Sequence, residues 1–224
     1  MKPAVFVGVA SAMLCGAAVG TGAEQEAAAP RGLAVLWVGE RDAKLLDGVL
    51  LHLKESFRCP VRVLPGRPVL AESPSSQAEA LAKLLTGRDL CLLALINVPQ
   101  EVTFVQAVFP SSRVAMLNVS RLERDEDGAQ ADAVRRTRRV KKESVRLLGL
   151  MLGLRDCPNP LCAMYQSRND MELDRKGDNL CPPCYVRAQA LLRAAGVPEV
   201  DPHPAAAPPA SGVSTGAAPA RAGS

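Results

Sequence analysis

The sequence predicts an α/β layered domain: a mixed sheet with crossover helices, followed by one long helix and a cysteine-rich C-terminal segment. Three observations lead there. Apolar runs of strand length alternate with helically spaced stretches through the first half. One long helical pattern then spans about Ala129 to Leu152. Two cysteine pairs come after it.

The elements follow in order. Leu33–Gly39, LAVLWVG, is a buried-strand run ended by glycine. Residues 42–59 place Leu45, Leu46, Val49, Leu50 and Leu53 at helical spacing, with His52 off the main stripe and expected at the surface rather than as a ligand. PVRVLPG is a short alternating strand, and SSQAEALAKLLTG is a helix with cap-type serines and a terminal Gly87. DLCLLALINV, Asp89–Val98, is a fully apolar strand. VTFVQAVFP and SRVAMLNVSRL read as two further strands about a turn near Ser111. In the long helix Val140, Ser144, Leu147, Leu148 and Met151 share one face, and Gly153 supplies a left-handed stop. The run RRTRRVKK within it reads as a solvated helix face, partly offset by the acidic ERDED upstream, in preference to an anion-binding patch.

Composition narrows the function. Of 224 residues 48% are apolar, so a proper core is available. Aromatics are 3%, with Trp37 the single tryptophan, which leaves little for base-stacking platforms. The net charge of +4 is too mild to argue for nucleic acid, and no nucleic-acid partner is expected.

The first 23 residues read as a secretory signal: Lys2, an apolar run, then small residues before Glu24. The alternatives are an N-terminal membrane anchor or a disordered leader. The run is short and rich in Ala and Gly, a poor permanent span. Cys15 follows the bulky Leu14, which disfavours lipid attachment. The expected location is exported, secreted or periplasmic, or else membrane-anchored, in preference to cytoplasmic. Residues 24–31 form a linker and 32–195 the domain. Residues 196–224, rich in Ala, Pro, Gly and Ser, form a disordered tail that includes His203.

Cysteine spacing is the strongest chemical signal. Cys157 and Cys162 have four residues between them, and Cys181 and Cys184 form a C-x-x-C pair. Such pairs suit a tetrahedral zinc site, since soft thiolates from two tight loops can converge on one ion. Disulfides are the competing reading, favoured by an oxidising compartment, where Cys59 and Cys91 could also pair.

The segment LLGLMLGLRDCPNPLCAMYQSRNDMELDRKGDNLCPPC resembles the archaemetzincins, metzincin-related zinc metallopeptidases whose signature is H-E-x-x-H-x-x-G-x-x-H-C, then C-x-M, then C-x-x-C. Cys157, Cys162, Met164, Cys181 and Cys184 fit position by position, and LDRKG and the upstream strands are also similar. The resemblance implies a metzincin-like mixed sheet, the long helix as former active-site helix, one structural zinc on the four cysteines, and Met164 in a Met-turn. It also implies a departure. Its first histidine falls on Arg146, its general-base glutamate on Leu147, its second histidine on Leu150 and its third on Asp156; Gly153 is kept. Arginine offers no lone pair to a metal and leucine cannot ligate. The expectation is therefore no catalytic zinc and a pseudoenzyme that binds a peptide or protein in the former substrate cleft. An active zinc metallopeptidase with non-standard ligands and a zinc-stabilised nucleic-acid-binding module are the alternatives. In the family geometry the first and third ligand positions converge, so Arg146 and Asp156 are expected to face each other.

Overall fold

The computed structural model describes residues 30–66, 73–98, 104–124, 128 and 130–202. The signal-like segment 1–23, most of the 24–31 linker and His203 in the tail lie outside the described residues. The elements run β1 (Gly32–Gly39), α1 (Ala43–Phe57), β2 (Val61–Val63), α2 (Pro74–Ala82), β3 (Asp89–Asn97), β4 (Gln106–Phe109), β5 (Val114–Asn118), α3 (Ala133–Met151), α4 (Asp170–Arg175) and α5 (Pro182–Ala194), with a short 3-10 turn at Ser120–Glu123. Among the described residues no helix is long and apolar enough to cross a membrane.

The sheet order is β2-β1-β3-β5-β4. The first four of these strands are parallel, and β4 runs antiparallel to β5 at the edge. Strand β1 is continuously apolar because both of its faces are covered. Leu33, Val35 and Trp37 pack with Leu45, Leu46 and Val49 of α1 and with Val140, Leu147 and Leu148 of α3. Ala34, Leu36 and Val38 pack with Ala78 and Leu81 of α2. The chain moves outward from β1 to β2 through α1, then back across β1 to β3 through α2. Right-handed crossovers in opposite directions put these helices on opposite faces.

Several details differ from the sequence reading. The long helix starts at Ala133, not 129, because Asp132 caps it, accepting from the amides of Val134 at 2.9 Å and Arg135 at 2.8 Å. The strand read in VTFVQAVFP is confined to Gln106–Phe109, with residues 102 and 103 outside the described set. His52 is buried, not at the surface: it falls on the stripe through Leu45, Val49 and Leu53, and its Nε2 donates to the Asp178 carbonyl at 2.8 Å. Beyond residue 195 the chain stays packed, with Val197 buried and the Val200 amide donating to the Arg58 carbonyl at 2.9 Å.

The basic run is not simply a solvated face either. Arg139 is buried and grips the Asp174 carboxylate with Nε and Nη2, both at 2.7 Å. Lys142 is buried and donates to the carbonyls of Leu173 and Asp174 at 3.0 and 2.8 Å, the C-terminal end of α4 where cations are favoured. Arg136 reaches Asp42 at 3.0 Å and Glu123 at 2.7 Å. Half the run therefore ties α3 to α1 and α4. Composition alone conceals this, because a charge run shows neither which helix face it occupies nor what returns to meet it.

One charged clamp sets the start of β3. Asp89 is buried and accepts from Arg62 on β2 and from the amide and hydroxyl of Thr86, at 2.7 and 2.8 Å. Burial alone would raise its carboxyl, but Arg62 and Thr86 outweigh that and hold it below its ordinary value of 3.8. A depressed folded pKa stabilises above the unfolded value and is lost as pH falls through the folded one. Asp89→Asn is expected to cost on the order of 1–3 kcal/mol at neutral pH. Urea unfolding of both proteins should show the gap closing as pH drops below about 4.

Candidate functional site

Past Met151 the chain turns back on itself. Gly153 has φ of +94°, the left-handed stop expected from sequence, and the Leu154 amide donates to the Gly149 carbonyl at 2.9 Å. The return brings in Cys157, whose amide donates to the Met164 carbonyl at 3.0 Å. Cys162 follows in a tight turn, and the Ala163 amide donates to the Asn179 carbonyl at 2.9 Å. Cys181 is the N-cap residue of α5, with Pro182 in the first turn, where a missing N–H is harmless.

These turns bring together Cys157, Cys162, Cys181 and Cys184. Their sulfurs all lie within 4.8 Å of one another, and Cys157 and Cys181 are 3.8 Å apart. A tetrahedral zinc with bonds of about 2.3 Å requires sulfurs about 3.8 Å apart, so the donor set and spacing fit that ion. The six described cysteines are free thiols, Cys59 and Cys91 included. Burial pushes the Cys59 and Cys91 thiols up to about 12, which makes them inert core residues. Within the cluster, burial raises Cys162 and Cys184. Burial would also raise Cys181, but the Cys184 amide and neighbouring thiols hold it below its usual value. Cys162 Sγ accepts from the amides of Met164 at 3.4 Å and Cys181 at 3.3 Å, bonds that would support a thiolate.

Met164 is fully buried beneath α3. A Cβ on Gly149 would sit 2.4 Å from the Met164 sulfur, so only glycine lets this side chain press against the helix.

Arg146 and Asp156 meet, as the sequence led us to expect. Arg146 Nε and Nη2 both donate to Asp156 Oδ1, at 3.1 and 2.7 Å. The pair is asymmetric: the Arg146 side chain is 6% exposed and that of Asp156 45%. Arg146 Nη1 lies 3.4 Å from Gln106 Oε1 on β4 and 3.9 Å from Glu143 Oε2. Glu143 in turn accepts from the buried Lys176 at 2.6 Å, and Lys176 also donates to the Tyr165 carbonyl at 3.1 Å. Burial lowers the Lys176 ammonium below its ordinary value, with Glu143 pulling the other way. Two cations and two anions thus link α3, β4 and the cysteine loops.

Known proteins share stretches of this sequence and its fold. An archaemetzincin from Pyrococcus abyssi is 35% identical over 83 residues, 37% of this chain and 44% of that protein. One from Methanopyrus kandleri is 36% identical over 112 residues, 50% of this chain and 57% of that protein. The crystal structure of the Methanopyrus kandleri archaemetzincin superposes with a TM-score of 0.56 at 23% identity, covering 73% of this chain and 98% of that one. This chain is similar to archaemetzincins in part of its sequence and in its fold. A zinc-dependent peptidase from Methanocorpusculum labreanum has the same fold, with a TM-score of 0.56 at 23% identity, over 70% of this chain and 100% of that one. In sequence the chain spans about half the length of these two curated relatives. No family model matches it.

The register expected from the sequence would put Arg146, Leu150 and Asp156 at the metal-ligand positions of the archaemetzincin pattern and Leu147 at its general-base position. Leu147 is buried in the core and Leu150 packs against it. A guanidinium donor paired to a carboxylate, beside two leucines, does not fit a catalytic zinc. Glu143, Lys176 and Gln106 are the site members that sequence reading missed. Glu143 could have been found, because it stands one helical turn before Arg146. Lys176 and Gln106 arrive from distant segments and gave no local signal.

The asymmetry has a measurable consequence. Asp156→Ala leaves a buried guanidinium without its main acceptor and should cost about 2–3 kcal/mol, well above the half-unit typical of an exposed carboxylate. Arg146→Met frees Asp156 into water and should cost about 1 kcal/mol. Chemical denaturation of the two variants should give that order.

Proposed function

We propose that this chain is a catalytically inactive archaemetzincin relative, a peptide- or protein-binding module built around one structural zinc on Cys157, Cys162, Cys181 and Cys184. The observation that carries the reading is the Arg146–Asp156 pair standing where the family pattern puts two metal ligands. Hydrolysis by that pattern needs three metal ligands and a base beside the bound water. Here the ligand positions are taken up by an ion pair and a leucine, and the base position is a core leucine. What remains is the open edge of the sheet. Strand β4 has β5 on one side only, among the described residues, and an extended peptide could add to the other side. The N-terminal 23 residues support export or membrane anchoring as the setting.

Purified protein is expected to hold about one zinc per chain with four thiols protected from titration, and to show no chelator-sensitive hydrolysis of unstructured peptides. Two zinc ions, or turnover that a chelator abolishes, would overturn the reading. The scaffold can be tested separately. Arg146→His, Leu147→Glu, Leu150→His and Asp156→His together should bind a second zinc, measured by metal content.

A further inference from the structure

The proposal above leaves the kind of peptide open, and the edge strand and the ion pair together narrow it. In the β4–β5 ladder Gln106 faces Leu117, and Val108 faces Ala115. The Asn118 amide donates to the Val105 carbonyl at 2.8 Å, so Val105–Asn118 is a hydrogen-bonded pair. Such pairs alternate along an antiparallel ladder. Ala107 and Phe109 therefore also bond inward to β5, and the backbone N–H and C=O groups of Gln106 and Val108 point off the open edge. A strand added there would pair with those two residues.

Gln106 also fixes what such a strand meets. Its side chain lies on the α3 side of the sheet, with Oε1 3.4 Å from Arg146 Nη1. Residues directly opposite across a ladder point to the same face, about 5 Å apart. The ligand residue opposite Gln106 therefore projects toward Arg146 and Asp156. Arg146 is buried beneath, engaged with Asp156, Gln106 and Glu143, and has little surface to offer. Asp156 is nearly half exposed, and both of its bonds from Arg146 fall on Oδ1. Its Oδ2 takes neither of those bonds and, in a side chain 45% exposed, is left to accept from a ligand. Deeper in, Lys176 is offset by Glu143, so the outer carboxylate oxygen is the accessible charged pole of the group.

We infer that the cleft prefers an extended peptide carrying a lysine or arginine at the residue opposite Gln106, whose cation binds Asp156 Oδ2. The inference rests on the peptide-binding reading and adds the chemistry of one ligand residue. A charge-assisted hydrogen bond at a half-exposed carboxylate should favour Lys over an isosteric apolar side chain by about tenfold in affinity. The preference should weaken with added salt.

The test is fluorescence anisotropy on the full chain with short blocked Val/Thr-rich peptides. One residue is moved along each peptide as Lys, norleucine or Glu. One peptide position should show Lys binding about tenfold tighter than norleucine, with Glu weaker than both, and the gap should narrow at high salt. Asp156→Asn keeps the Oδ1 acceptor for Arg146 and removes the charge. It should abolish the Lys preference while leaving the norleucine peptide bound. The salt series on the natural chain decides the matter if that variant fails to fold. Equal binding of all three peptides, or a Lys preference that survives Asp156→Asn, would overturn the cation preference and leave the docking reading standing. Failure of every peptide to bind would overturn both.

Discussion

Four sulfurs drawn within 4.8 Å of one another hold the return of the chain after α3, and the geometry of the cleft depends on that return. Asp156 directly precedes Cys157, so wherever the cluster anchors Cys157, it also sets the carboxylate against Arg146. The Met164 carbonyl receives the Cys157 amide, and its side chain rests on Gly149. A single constraint thus reaches the floor of the site, the helix above it and the loop behind it. A bound metal would couple this network to folding, because the ligands converge only in the folded chain.

On the proposed reading, the same region keeps the fold of known zinc peptidases while its central chemistry changes. A metal site needs lone pairs aimed at one point; an ion pair needs a donor aimed at an acceptor. The Arg146–Asp156 pair meets the second requirement, at the place where the proposed reading puts two of the pattern's histidines. The surrounding charges balance: Lys176 is buried against Glu143, and Arg146 against Asp156. Buried charges left unpaired would be costly, whereas this set leaves one carboxylate oxygen toward solvent. Function, on this account, moves from bond cleavage to recognition along the neighbouring sheet edge.

Much of this was legible in the sequence, for physical reasons. Strands β1 and β3 show as continuous apolar runs because both their faces are covered. The four cysteines form two close pairs whose spacing suits one metal ion, and Met164 was legible through the resemblance alone. The meeting of Arg146 and Asp156 was legible only through the resemblance to the archaemetzincin pattern, whose first and third ligand positions converge. What stayed hidden depends on contacts between distant segments. Arg139 and Lys142 look like surface cations until α4 returns to meet them. His52 looks polar and exposed until the Asp178 carbonyl arrives. Gln106 and Lys176 join the site from a strand and a loop that no local pattern connects to α3.

The central claim is that sulfur holds the metal and that the Arg146 position holds none. Zinc K-edge X-ray absorption on the purified chain tests it most directly. The account predicts a single shell of four sulfurs at about 2.3 Å, with no nitrogen or oxygen scatterers. A nitrogen or oxygen shell at about 2.0–2.1 Å, or an average between the two shells that signals a second zinc, would contradict it.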